Sequence, residues 1–137
     1  MNPENAELVK LRIANAKKTL GEVEEVLIEN QLWNTAVNRL YYACFHAVTA
    51  LLNKFGFETK THSGVLTLFG LHFVKTGTID RDLAKFYSTL FEMRQSADYE
   101  VEIDYEEKDV LQLIQPAKDL INRIEEILLR DDTPLFK

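Results

Sequence analysis

A chain of 137 residues with 46% hydrophobic side chains has the length of one domain and enough apolar material for a core that needs no staples. Its 22 acidic residues against 16 basic ones leave a net charge of −6, which excludes a surface given over wholly to nucleic acid and leaves room only for a local basic cleft. A single cysteine, Cys44, excludes an internal disulfide framework and a paired-cysteine zinc or redox site. The start MNPENAELVK lacks a secretion pattern and no apolar run is long enough to span a bilayer, so the expected setting is cytoplasmic and away from membranes.

Only 5 Gly and 3 Pro occur, mostly at the edges of long periodic segments, and the expected class is all-α. From about Glu4 to Glu29, Val9, Ile13, Ala16, Leu20, Val23 and Leu27 recur at helical spacing on one face. A second helix is expected from about Leu32 to Phe55, with Val37, Leu40, Tyr41, Cys44, Val48, Leu51 and Phe55 facing the core and Gly56 as a left-handed cap. A polar connector, Phe57 to His62, leads to a shorter helix from Ser63 to about Lys75, ending at Gly77. Thr78 is expected to cap a fourth helix, with Asp80 and Asp82 in its first turn, that runs to about Ala97. The acidic stretch YEVEIDYEE then reads as an extended loop. The last helix, from about Tyr105 to Arg130, shows Asp104 and Glu107 as a capping box, and Pro116 inside it predicts a kink or a late restart. Together these give an antiparallel up-and-down bundle of four long helices and one short one over residues 1–130, with 131–137 as a short tail.

Two groups of residues stand out chemically. Thr35, Arg39, Tyr42, His46, Thr49 and Asn53 form a polar stripe on the second helix, read either as a solvated face or as a cleft or interface, since Arg and Tyr are recognition side chains. At the end of the fourth helix, Arg94, Asp98 and Tyr99 are either a helix-end ion pair with a packed phenol or a guanidinium held ready for phosphate. Lys60 and His62 read mainly as an ordinary exposed loop, with anion contact near the third helix as the alternative, and His72 receives no role. Cys44 reads as a small core residue, and no spacing suits a metal ion or another cofactor.

At NRLYYACFHAVTALL (38–52), KTHSGV (60–65) and RQSADYE (94–100), the chain resembles the prokaryotic HEPN domain family. The resemblance implies a compact antiparallel helical bundle that often dimerises and is encoded in many genomes beside a minimal nucleotidyltransferase, in pairs similar to toxin–antitoxin modules. Many members resemble metal-independent ribonucleases whose arginine is followed, after four to six intervening residues, by a histidine; here Arg94 matches, but Tyr99, Glu100 and Val101 stand where that histidine would be. A phenol with an ordinary pKa near 10 is a poor general base at neutral pH. The expected protein is therefore a homodimer with little or no catalysis that binds a nucleotide, an RNA phosphate or a nucleotidyltransferase partner through Arg39, Tyr42, His46, Arg94, Asp98 and Tyr99. The alternatives are a ribonuclease in which His46 replaces the missing histidine beside Arg94, and a purely structural dimerisation module.

Overall fold

The computed structural model describes residues 3–99 and 103–130, with side chains for 4–96 and 103–130. Five α-helices account for the architecture: α1 (Pro3–Glu22), α2 (Trp33–Lys54), α3 (His62–Phe69), α4 (Arg81–Tyr99) and α5 (Glu107–Leu129). The first and third each continue into one π-helical turn, Val23–Leu27 and Gly70–Val74. Among the described residues there is no strand, so the all-α bundle follows the hydrophobic periodicity of the chain.

The centre is α2, which packs against α1, α3, α4 and α5. Its sequence explains why: Val37, Leu40, Tyr41, Cys44, Val48 and Leu51 are buried, and so are Ala36, Ala43, Ala47 and Ala50, whose small side chains let neighbouring helices approach. A helix apolar over so much of its circumference is stable only when surrounded. Burying each large aliphatic side chain contributes about 1.5–3 kcal/mol, so this helix anchors the fold. Tyr41 and Tyr87 join the same core, their rings stacked with centroids 5.9 Å apart, and Phe69 meets Tyr87 edge-on at 5.6 Å. The surface ion pairs Lys17–Glu125 and Lys118–Glu24, which link α1 and its π turn to α5, add at most about 1 kcal/mol each.

Several boundaries differ from the sequence expectation for identifiable reasons. Gly56 and Gly77 do adopt positive φ (82° and 81°), as a chain reversal after a helix requires. Thr78 does not cap α4: its hydroxyl bonds that of Thr76 at 3.1 Å, and Asp80 accepts the first backbone bond, from Ala84 N–H at 3.1 Å. Nor does Asp104 begin the last helix. The Glu106 N–H donates to the Asp109 carboxylate at 2.9 Å, so the cap lies two residues later. The helix α5 runs through Pro116 without restarting. The carbonyl that loses its partner belongs to the exposed Gln112, where water can replace the missing N–H.

The segment before α5 is held by one side chain. Asn34 donates to the Ile103 carbonyl at 3.0 Å and accepts from the Tyr105 N–H at 2.8 Å, while the Tyr105 hydroxyl donates to the Met93 carbonyl at 3.1 Å. Residues 103–106 are thus non-helical, matching the expected loop there, and they tie the C-terminal half of α4 to the start of α2.

Candidate functional site

The polar stripe of α2 is not a solvated face. Arg39, Tyr42, His46, Thr49 and Asn53 are all half-buried, and only Thr35 is exposed. Helical spacing sets them on one side of α2, turned away from the buried stripe, and the flanking α1, α3 and α4 cover that side in part.

At its middle, α2 meets α4 and the start of α3. The Arg94 guanidinium donates through Nη2 to the Tyr42 hydroxyl at 2.9 Å, and its carbon lies 5.4 Å from the Tyr42 ring centre and 5.6 Å from that of Tyr41. A guanidinium settled over aromatic faces is held in position and keeps its charge. Arg39 also approaches the Tyr42 ring, at 5.8 Å.

His62 completes this corner. Thr61 caps α3 by accepting from the Gly64 N–H at 2.9 Å, which fixes His62 as the first helical residue. Its ring stacks on Phe45 at 4.3 Å with 17° between planes, and its Nδ1 lies 2.7 Å from the Tyr41 hydroxyl. Burial pushes the Tyr41 phenol up to about 12, so at neutral pH it keeps its proton. That hydroxyl has no other hydrogen bond among the described residues, and the Tyr87 hydroxyl nearby is buried outside good hydrogen-bond geometry. We assign Tyr41 as the donor and Nδ1 as the acceptor, the arrangement in which the phenol's retained proton has a partner. The neutral ring then carries its own proton on Nε2. Burial first, and the Arg94 charge second, hold the His62 pKa below its ordinary value, which favours that neutral form.

His46 belongs to different neighbours. Burial, then Arg12 and Arg39, lower its pKa, and its Nδ1 is buried with no hydrogen-bond partner among the described residues. The cation facing His62 is Arg94; those facing His46 are Arg12 and Arg39.

The HEPN domain family model matches residues 9–127, from early α1 to the end of α5. The chain belongs to the HEPN family. It is 36% identical over 125 residues to a UPF0332 protein of Thermotoga maritima, covering 91% of this chain and 94% of that protein. Two proteins of Methanocaldococcus jannaschii, each named "Putative toxin", are 34% identical (90% of this chain, 82% of the relative) and 33% identical (93% and 94%).

Within this HEPN bundle the six residues singled out in the sequence fall into three groups. Tyr42 and Arg94 are bonded, with Arg39 at the same ring; His46 keeps company with Arg12; and the side chains of Asp98 and Tyr99 lie outside the described residues. Two participants were read otherwise. Periodicity places Tyr41 on the apolar stripe, and it is fully covered, but its hydroxyl reaches the first residue of α3. His62 read mainly as a loop residue and is instead half-buried in an aromatic nest. The signal that could have found it is the Thr-His-Ser-Gly run, in which a helix cap precedes and a glycine follows the histidine. Gly64 is needed there, since a Cβ would meet the Thr59 hydroxyl and would come within 2.8 Å of that of Thr61. Cys44 is buried in the core and its thiol is pushed up by burial, which leaves it inert.

Chemically, the corner offers a fixed positive charge at Arg94 and an N–H at His62 Nε2. It offers no ring nitrogen ready to take a proton, because Nδ1 already accepts from Tyr41. Such a pair suits binding of an anion's oxygens better than abstraction of a proton.

Proposed function

We propose that this chain is a toxin-like HEPN module whose Arg94, Tyr42 and His62 hold a phosphate of a nucleotide or RNA strand, with little or no cleavage. The toxin-like role rests on the family and on the names of the two archaeal relatives. The observation that carries the binding role is the 2.7 Å contact from Tyr41 to His62, which turns the imidazole into a donor beside the Arg94 guanidinium. Dimerisation, and pairing with a minimal nucleotidyltransferase, are part of the same reading, and the family resemblance supports them.

The test is fluorescence anisotropy with labelled single-stranded RNA, run beside a gel assay for cleavage in the presence of a metal chelator. Binding is expected, with about tenfold or greater weakening in Arg94→Gln, the usual cost of a lost charge-assisted contact. Metal-independent cleavage that disappears in both Arg94→Gln and His62→Gln would overturn the non-catalytic reading. Binding indifferent to Arg94→Gln would overturn the site.

A further inference from the structure

Beyond the Arg94 corner, a cleft of about 430 Å³ opens between α1, the C-terminal half of α2 and the connector to α3. Arg12 and Lys60 bring charge to it, Thr49 and Asn53 bring polar groups from α2, and Leu52 and Val65 supply an apolar wall. One turn before Thr49 on α2, His46 lies within electrostatic reach of Arg12. Three polar atoms in this region are buried without a hydrogen-bond partner among the described residues: Arg12 Nε, His46 Nδ1 and Asn53 Oδ1.

Such orphans are uncommon in a folded protein, and two of them, on Arg12 and Asn53, belong to residues that line the opening, which calls for a ligand that would satisfy them. The charge pattern agrees. In a chain with an excess of six acids, Arg12 makes no ion pair with any described carboxylate. A half-buried guanidinium with no described ion pair is matched by an anion supplied from outside. A simple anion does not answer everything, because Asn53 Oδ1 is an acceptor and Glu58 places a carboxylate on the same cleft. These require donors on the ligand. The volume is in the range of small-molecule sites.

We infer that this cleft is a second, separate site for a nucleotide, with its phosphate on Arg12 and Lys60 and its sugar hydroxyls or base amino group on Asn53 and Glu58. The ligand is either a free mononucleotide or the end of an RNA strand, which share this chemistry. The site stands apart from Arg94 and does not rest on the function proposed for that corner.

Isothermal titration calorimetry of the full chain with AMP, with inorganic phosphate and with a short 5′-phosphorylated RNA tests it. AMP binding is expected to survive in Arg94→Gln and to weaken about tenfold or more in Arg12→Gln. Lys60 is exposed, so Lys60→Gln, which leaves the fold intact, is expected to weaken it as well. Inorganic phosphate should bind at least several-fold more weakly than AMP, and the His46 imidazole resonances of the unaltered chain should shift on AMP addition. Tighter binding of the RNA than of AMP in Arg94→Gln identifies a strand end as the ligand; the reverse identifies the free nucleotide. The inference is overturned if AMP binding vanishes in Arg94→Gln, if both Arg12→Gln and Lys60→Gln leave it unchanged, or if phosphate alone binds as tightly as AMP.

Discussion

Replacing Tyr41 by Phe removes one oxygen from a fully covered ring and leaves the stacking with Tyr87 in place. A single neutral hydrogen bond contributes about 1 kcal/mol net, and the half-buried His62 can take a water in exchange, so the stability loss is about 1 kcal/mol. For a chain of this size that corresponds to about 3 °C in Tm. The more informative effect is on His62. Its Nδ1 can accept from Tyr41 only while unprotonated, so the lost bond stabilises the neutral form alone. Removing it should raise the proton affinity of the imidazole by about fivefold, since about 1 kcal/mol is that factor in an equilibrium constant. RNA or nucleotide binding should fall by only about twofold, because freeing the tautomers about halves the population with Nε2 protonated. Nitrogen-detected NMR of the imidazole reads both the tautomer and the titration. A wild-type His62 with its proton on Nδ1, or a titration midpoint unmoved in Tyr41→Phe, would refute the argument that Tyr41 sets this ring as a donor.

Other expectations concern stability. Both His46 and His62 have folded pKa values below the unfolded value of about 6.5, so the unfolded chain binds more protons as pH falls. Their contribution is complete above that value and is lost below it: Tm should drop between pH 7.5 and pH 5.5, and the drop should be smaller in a His46→Gln, His62→Gln double variant. Tyr41 acts at the other end, since its raised pKa of about 12 implies stability lost as pH climbs past 10, an effect absent from Tyr41→Phe. Gly64→Ala should cost about 1 kcal/mol by displacing the Thr61 cap, and should weaken ligand binding by moving His62; thermal melts and anisotropy check the two parts. Tyr87→Phe removes a buried hydroxyl without a well-formed bond, so it should cost less stability than Tyr41→Phe in chemical denaturation.

The helices were legible because their apolar residues recur at helical spacing and the core accepts nearly all of them: Val9, Ala16, Leu20 and Val23 in α1 and its π turn, and Val110, Ala117, Ile121 and Ile124 in α5, are buried as the periodicity requires. Caps were less legible. Asp104, Glu106 and Glu107 are all plausible first residues by type, and only the bond from Glu106 N–H to Asp109 decides among them. The candidate site was half legible. Arg94 and Tyr42 stand out by residue type, but periodicity assigns Tyr41 to the core and cannot report that a buried ring sends its hydroxyl across to another helix. Arg12 gave no sequence signal, because a cation beside an apolar stripe is ordinary; what marks it is a buried Nε with no hydrogen bond and no ion pair among the described residues, which is a property of the packed molecule.

The placement of charge argues for a short ligand over a long one. Two of the cationic loci share a groove with an exposed acid: Glu22 with Arg39, and Glu58 with Arg12. At physiological ionic strength a charge is felt over about 8 Å, roughly one nucleotide's length of backbone. A phosphate seated on one of these cations is therefore attracted, while the next phosphate along an extended strand would pass over carboxylates and be repelled. A surface built to track a polyanion would extend the basic stripe instead. The net charge of −6, with Arg12 and Arg39 each beside an exposed carboxylate, thus fits a protein that takes one or two phosphates at a time.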